Sequence, residues 1–211
     1  MVLMASMFHN AETYIPRYFS QVEALRREIP VTLYLAEGDS TDSTREVLEK
    51  YLEPGDQIVD ATHGGMVFGS VDTPQRWKQI CFVCNTLLDA LPQAGNLIYV
   101  EADLIWTPET MTHLLGDLTI VDAAAPLVYQ RDRFYDTWGF RFEDGSHIGS
   151  SPVRHTGLVK ILSAGSCIAM RPEVYRDCRF TEDEAIVGFC KEMKAEGFGM
   201  WMDTDLAIEH P

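Results

Sequence analysis

The chain has 211 residues, 46% of them apolar, and a formal net charge of −15. These figures fit one globular domain with a sizeable core. They argue against nonspecific nucleic-acid binding, because an acidic surface repels phosphate backbones. Five cysteines, an odd number in a chain of this size, argue against a disulfide framework and for a reducing compartment.

No apolar run reaches the ~18 residues of a membrane span. The apolar start, Val2 to Phe8, lacks the basic residues of a signal peptide. The expectation is a soluble, cytoplasmic protein.

Residues 2–8 read as a buried strand. A helix from about Glu12 to Glu28 follows, with Tyr14, Tyr18, Val22 and Leu25 at helical spacing and Asn10 as a plausible N-cap. Pro30 ends it, and 31–36 is a second strand. The acidic turn Glu37-Gly38-Asp39-Ser40-Thr41-Asp42 leads into a helix ending near Leu52, capped by Thr41 or Asp42. Glu37 and Asp39 sit where a ligand's base or ribose hydroxyls can be gripped, and the helix start favours an anion.

A short strand over 57–61 precedes a glycine-containing loop over 62–73, expected to be mobile. Pro74 to Leu91 is an apolar-rich helix. Arg76 near its start is unfavourable for the helix dipole, as a pyrophosphate-binding position would be. Cys81 and Cys84 have redox spacing but no second pair, so they read as small apolar residues.

Asn96 to Val100 is an apolar run that ends in two acids, Glu101 and Asp103. Gly95 before it marks a strand start. Thr107 caps the next helix and Pro108 fits its first turn, over 108–115. On an extended strand, residues i and i+2 point the same way, so both acids could face one ion. Two hard oxygen ligands at the carboxyl edge of a sheet suit Mg²⁺ or Mn²⁺. Strand character resumes over 121–128. Strand–helix alternation through residue 128 implies a mostly parallel sheet with helices on both faces.

After residue 128 the texture changes. Tyr129 to Arg141 mixes aromatics with charges, Asp144 to His155 is loop-like, and Arg131, Arg133, Arg141 and Arg154 cluster loosely in sequence. Leu158 to Met170 reads as strand material. Thr181 can cap a helix that opens Glu182-Asp183-Glu184 and runs to about Ala195, ended by Gly197. Phe198 to Ile208 is a last strand region, followed by Glu209-His210-Pro211.

Four of these stations, in this order, resemble the GT-A fold nucleotide-sugar glycosyltransferases. Glu37 to Thr44 is similar to the acidic turn that contacts the nucleotide, with Ser43 where a Gly is usual. Glu101-Ala102-Asp103 sits at the Asp-x-Asp metal motif, with Glu as the first acid. Asp203 to His210 resembles the closing strand whose His completes the metal site. Tyr135-Asp136-Thr137-Trp138 resembles a segment of fungal capsule-associated and Golgi mannosyltransferases, and small phage transferases look similar.

The resemblance implies a single GT-A domain over 1–211. Residues 1–128 would form the nucleotide-sugar and metal-binding part, and 129–211 the acceptor and catalytic part. It implies Mn²⁺ or Mg²⁺ held by Asp103, His210 and Glu101. Donor contacts would come from Phe8, Asn10, Glu37, Asp39, Ser40 and Asp42, with Arg76, Glu101 and Ala102. Acceptor contacts would come from Tyr135, Trp138, Arg141 and Glu182.

An acceptor hydroxyl is a poor nucleophile at neutral pH, so a positioned carboxylate base helps. Asp183 aligns with the base of inverting members, and Asp136 competes with it. The implied donor is a UDP- or GDP-sugar. The implied acceptor is a glycan, a lipid-linked sugar or a hydroxymethylated DNA base. Two other classes remain: a nucleotidyltransferase, although Met7-Phe8-His9-Asn10 lacks its Gly-rich phosphate loop, and a non-catalytic nucleotide- or sugar-binding domain.

Overall fold

The computed structural model describes residues 1–66, 73–150 and 155–211. Half of the glycine loop expected over 62–73, residues 67–72, and Arg154 lie outside the described residues.

Among the described residues nine strands form one sheet in the order β3-β2-β1-β4-β8-β5-β9-β7, with β6 (Arg133–Phe134) paired to β5. Strands β1 (Val2–Phe8), β2 (Val31–Glu37), β3 (Gln57–Asp60) and β4 (Asn96–Val100) are mutually parallel. Strand β5 (Ala123–Gln130) runs parallel to β9 (Met200–Glu209). Strand β8 (Cys167–Met170) is antiparallel to both its neighbours, β4 and β5. The edge strand β7 (Leu158–Ile161) is antiparallel to β9. The sheet is thus mostly parallel, and the chain's last third is woven into its middle. Central strands buried on both faces read as continuous apolar runs, and Leu3, Met4, Leu33, Leu35, Leu97, Ile98 and Val100 are fully buried.

Helix α1 (Ile15–Arg26) packs against α2 (Thr44–Glu49) and α4 (Pro108–Asp117), while α3 (Pro74–Ala90) packs on β1, β2 and β3. Tyr18, Val22 and Leu25 are fully buried, but Tyr14 is exposed. It stands at the helix N-cap without a side-chain bond. Asn10 does not cap α1: it takes a left-handed backbone, φ 48°, and its Oδ1 accepts the Thr41 N–H at 2.8 Å. Thr107 does cap α4, accepting the Thr110 N–H. Neither Thr41 nor Asp42 is the N-cap of α2: that position is Ser43, which makes no side-chain cap bond, while Asp42 Oδ1 accepts the N–H of Thr44 at 3.0 Å in a turn just before the helix.

Two expectations about the last third need correction, and one short helix there was not foreseen. Residues 158–170 are not one strand: β7 and β8 run the same way but lie in different parts of the sheet, and between them the chain steps across through Gly165-Ser166, where Ser166 takes φ 50°. A short helix, α5 (Pro172–Asp177), follows β8, begun by a proline pre-set for the first turn. The last helix, α6 (Ile186–Ala195), starts four residues later than expected. Thr181 and Ala185 bridge instead, and Glu184 and Ala185 adopt positive φ. Helix-favouring acids lose here because the Glu184 carboxylate is drawn to Arg141 and Lys191.

Strand β5 carries Pro126 in its buried middle. Proline cannot donate to a ladder and is confined to edges and bulges. The partner strand answers with a bulge: Pro126 pairs with Asp203, but Leu127 pairs with Ala207.

Candidate functional site

The site forms where β1, β2, β4 and β9 reach their carboxyl ends, the edge at which open α/β sheets bind ligands. Strand β4 stops at Val100, and Glu101 to Leu104 is a turn closed by Leu104 N–H to Glu101 O at 3.3 Å. The two acids are therefore not on an extended strand, and the i, i+2 argument does not set their geometry. After the turn, Ile105 pairs antiparallel with Glu209, by N–H···O contacts of 2.8 and 2.9 Å. That bridge brings the end of β9 alongside Asp103. His210 Nε2 then lies 3.3 Å from Asp103 Oδ2.

Strand β5 supplies the other wall. Its carbonyls at Val128 and Tyr129 accept the N–H groups of Tyr135 and His210, both at 2.8 Å. Hung from neighbouring carbonyls, the two rings stack with centroids 3.9 Å apart and planes 22° off parallel.

Asp136 follows Tyr135 and turns inward. Gly139 N–H donates to its Oδ1 at 3.0 Å, and Ser166 Oγ donates to its Oδ2 at 3.0 Å. A Cβ at Gly139 or Gly165 would run into this carboxylate, so two glycines leave the room it occupies. Burial raises the Asp136 carboxyl above its usual range, opposed by the Gly139 and Ser166 bonds and by His210. Glu101 is half-buried nearby. Burial first, then the charges of Asp103 and Asp136, push its carboxyl up to about 8, against Arg76 and Ser166. Three carboxylates therefore gather where one would ordinarily be comfortable. Gly139, Gly165 and Ser166 escaped the sequence reading; a Gly-Ser pair between two strands signals a turn, but not the group that the turn faces.

Two adjoining cavities open beside this cluster. The first, about 220 Å³, is lined by Phe8, His9, Asp39, His63 and Met66. The second, about 500 Å³, is lined by Tyr99, Glu101, Tyr135, Asp136, Trp138 and Phe180. Met7, Arg76 and Ile80 line both. Arg76 thus stands at the junction, in the first turn of α3.

The acidic turn after β2 divides. The Asp39 carboxylate accepts the N–H groups of His63 at 2.8 Å and Gly64 at 3.1 Å. The His63 N–H is the main cause holding it below the ordinary carboxylate range. It faces the first cavity. Glu37 is buried and bound by Arg45 Nε at 2.8 Å. Asn10, Ser40 and Asp42 lace the loop after β1 to the loop after β2. Ser40 Oγ accepts the Asn10 N–H at 3.1 Å, and Asp42 Oδ2 accepts the Glu12 N–H at 3.3 Å. These residues build the wall behind Asp39. Phe8 is buried edge-on against Tyr18, and Ala102 is buried in the acid turn.

On the far side, Arg141 makes a two-pronged ion pair with Glu184, at 3.0 and 2.7 Å, and lies over the Trp138 ring. Glu182 and Asp183 are exposed. Lys191 Nζ binds Asp183 Oδ2 at 2.7 Å, and neither acid lines the second cavity. Cys81 and Cys84 are buried, their thiols raised chiefly by burial, as expected of small apolar residues. Among the described residues no helix is long and apolar enough to cross a membrane.

No family model matches the chain, and no curated protein matches it by sequence. Solved structures do match. The mannosyltransferase PcManGT from Pyrobaculum calidifontis, in complex with GDP-Man and Mn²⁺, superposes with TM-score 0.66 at 15% identity, over 99% of this chain and 56% of that one. TarS of S. aureus in complex with UDP-GlcNAc gives TM-score 0.61 at 17% identity, over 99% of this chain and 57% of that one. Glucosyl-3-phosphoglycerate synthase from Mycobacterium tuberculosis, with Mn²⁺, UDP and phosphoglyceric acid, gives 0.60 at 14%, over 100% and 70%. The chain spans little more than half the length of the first two. At these identities the likeness is one of fold. Sheet order, the acid turn after β4 and these superpositions agree that the chain has the GT-A fold of nucleotide-sugar glycosyltransferases.

Proposed function

We propose that this chain is a metal-dependent glycosyltransferase that moves a sugar from a nucleoside-diphosphate sugar to an acceptor hydroxyl. The observation that carries the reading is the pair of joined cavities, with Asp39 in one, Glu101 and Asp136 in the other and Arg76 between them. A nucleotide sugar has this layout: a nucleoside, two phosphates and a sugar whose anomeric carbon reacts.

In this reading Asp39 fixes the nucleoside from a carboxylate already locked by two backbone donors. Arg76 meets the diphosphate. Asp103 and His210 fit a divalent ion, since a carboxylate oxygen and an imidazole nitrogen at 3.3 Å stand as two ligands of one ion do. Glu101 and Asp136 add negative charge beside them. Bound there, the ion would neutralise the departing diphosphate. Mn²⁺ is the first ion to test, being present in two of the similar structures.

The acceptor enters the second cavity between Tyr135, Trp138 and Phe180, whose rings suit the apolar face of a sugar. Asp136 takes the proton from its hydroxyl. The hydroxyl oxygen bonds to the anomeric carbon while the bond from that carbon to the phosphate oxygen breaks, and the diphosphate leaves with the electron pair. Burial raises Asp136 toward the working pH, which a base requires. The exposed Asp183 is the competing base, and an inverting outcome is part of the proposal. The Tyr-Asp-Thr-Trp segment supports GDP-mannose as donor, with UDP-sugars as the alternative. A glycan or lipid-linked sugar is the preferred acceptor, since a net charge of −15 counts against DNA.

Isothermal titration with GDP and UDP, with and without Mn²⁺, followed by a screen of nucleotide sugars for hydrolysis, tests the reading. Metal-dependent nucleotide binding and slow release of sugar from one donor are expected. A folded protein that binds neither nucleotide would overturn it.

A further inference from the structure

A second group of ligand-type side chains lies away from the cleft. Helix α4 carries His113 and Asp117 one turn apart, so both project from one face, and α4 packs against β9. Asp203 of β9 meets them there. His113 Nε2 lies 3.8 Å from Asp203 Oδ2, and one ligand atom from each of the three residues falls within 4.8 Å of the other two. None of the three lines either cavity of the cleft.

The two acids are 8% and 3% exposed. Asp203 Oδ1 accepts the Asp205 N–H at 2.9 Å, which fixes the side chain and leaves Oδ2 for the cluster. Asp117 Oδ2 is out of water and has no hydrogen-bond partner. Buried polar atoms are normally paired, and one that is not requires a cause. Here a second carboxylate stands where a donor belongs. Asp117 is also the last residue of α4, the helix end at which an anion is disfavoured. His113 is exposed and helps only when protonated. A cation between the two buried carboxylates would resolve the conflict.

The fold places Asp203 deliberately. It is the last residue of β9 paired with β5 before the bulge opposite Pro126.

We propose that His113, Asp117 and Asp203 form a second divalent-cation site, of the zinc type, that clamps the end of α4 to the middle of β9. One imidazole and two carboxylates give the three protein ligands, with a fourth position open, that Zn²⁺ accepts. Two ligands at i and i+4 of one helix are a recurring zinc arrangement. The nitrogen ligand disfavours Mg²⁺, which prefers oxygen. The exposed imidazole provides an entry path.

The test uses the full chain carrying Asp103→Ala and His210→Ala, which removes the cleft's own ligand pair. Zn²⁺ is titrated calorimetrically against a competing chelator, and bound metal is measured after dialysis. The double variant should retain one zinc per chain and melt at higher temperature with zinc than without. Adding His113→Ala should weaken zinc by at least roughly 100-fold, since loss of even an outer partner costs 10–100-fold. Adding Asp117→Asn should do the same, and Co²⁺ should give a visible absorption that both changes remove. His113 is exposed, so its replacement decides the matter even if Asp117→Asn fails to fold. No zinc in the double variant, or unchanged binding after His113→Ala, overturns the proposal.

Discussion

Tyr135 lies flat on His210, ring centroids 3.9 Å apart, while His210 reaches 3.3 Å to Asp103. The phenol therefore sets the plane in which the imidazole meets its carboxylate. Tyr135→Ala should weaken Mn²⁺ binding by roughly 10–100-fold, the usual cost of losing a partner that orients a ligand. Tyr135→Phe keeps the ring and should bind like the parent. Electron paramagnetic resonance of free Mn²⁺ measures both.

Asp103→Ala tests the ligand itself. The partly buried side chain lies in the turn after β4 and its ion-pair partner is His210, so the fold should survive. Mn²⁺-dependent nucleotide binding should disappear, while weaker metal-independent binding at Asp39 persists. Unchanged metal dependence in a folded Asp103→Ala protein would falsify the assignment.

The two candidate bases make opposite predictions. Asp136 lies in the second cavity, whereas Asp183 is exposed and paired with Lys191. Asp136→Asn should lower transfer by roughly 10²–10⁴-fold, and Asp183→Asn should leave it close to the parent. The reverse pattern would move the base to Asp183. NMR assignment of the product anomer, with one donor and acceptor, decides the stereochemistry in the same experiment.

Gly165→Ala probes the room around Asp136. The added methyl would collide with Asp136 Oδ2, and the carboxylate is easier to displace than the backbone. The protein should stay folded, transfer should fall at least roughly tenfold, and nucleotide affinity should hold. Steady-state transfer rates beside nucleotide titrations separate these effects.

Glu184 links the structure to pH. The Arg141 guanidinium beside it, helped by Lys191, holds its carboxyl below the ordinary range. A depressed carboxyl stabilises the fold above its unfolded-state pKa, about 4.3. That contribution is lost as pH falls through the lower folded-state value. Glu184→Gln should cost about 1–3 kcal/mol at neutral pH, because it leaves a mostly buried Arg141 without its charged partner. The gap to the parent should close in acid. Urea unfolding of both proteins at the two pH values measures it.

Much of the first half of the fold could be read from residue order. Apolar runs at β1, β2 and β4, helical spacing in α1 and α3, and the cap at Thr107 are local signals, because each depends on periodicity or on a bond to a near neighbour. The acidic turn after β2 and the acids after β4 stood out for the same reason.

The sequence by itself determined the alternation of strands and helices, and hence a mostly parallel sheet with acids at its carboxyl edge. Only the tertiary structure decided where the last third goes. Whether 158–170 is one strand or two depends on partners distant in sequence, β4, β5 and β9, which no local pattern encodes. The helix start at 182–184 was lost to Arg141, some forty positions away. Asp136 acquired its place from Gly139, Gly165 and Ser166, and Asp203, beside the β5–β9 bulge, met His113 and Asp117 of α4. Local spacing reports which face a side chain takes; burial, and the charge that faces it there, come from packing.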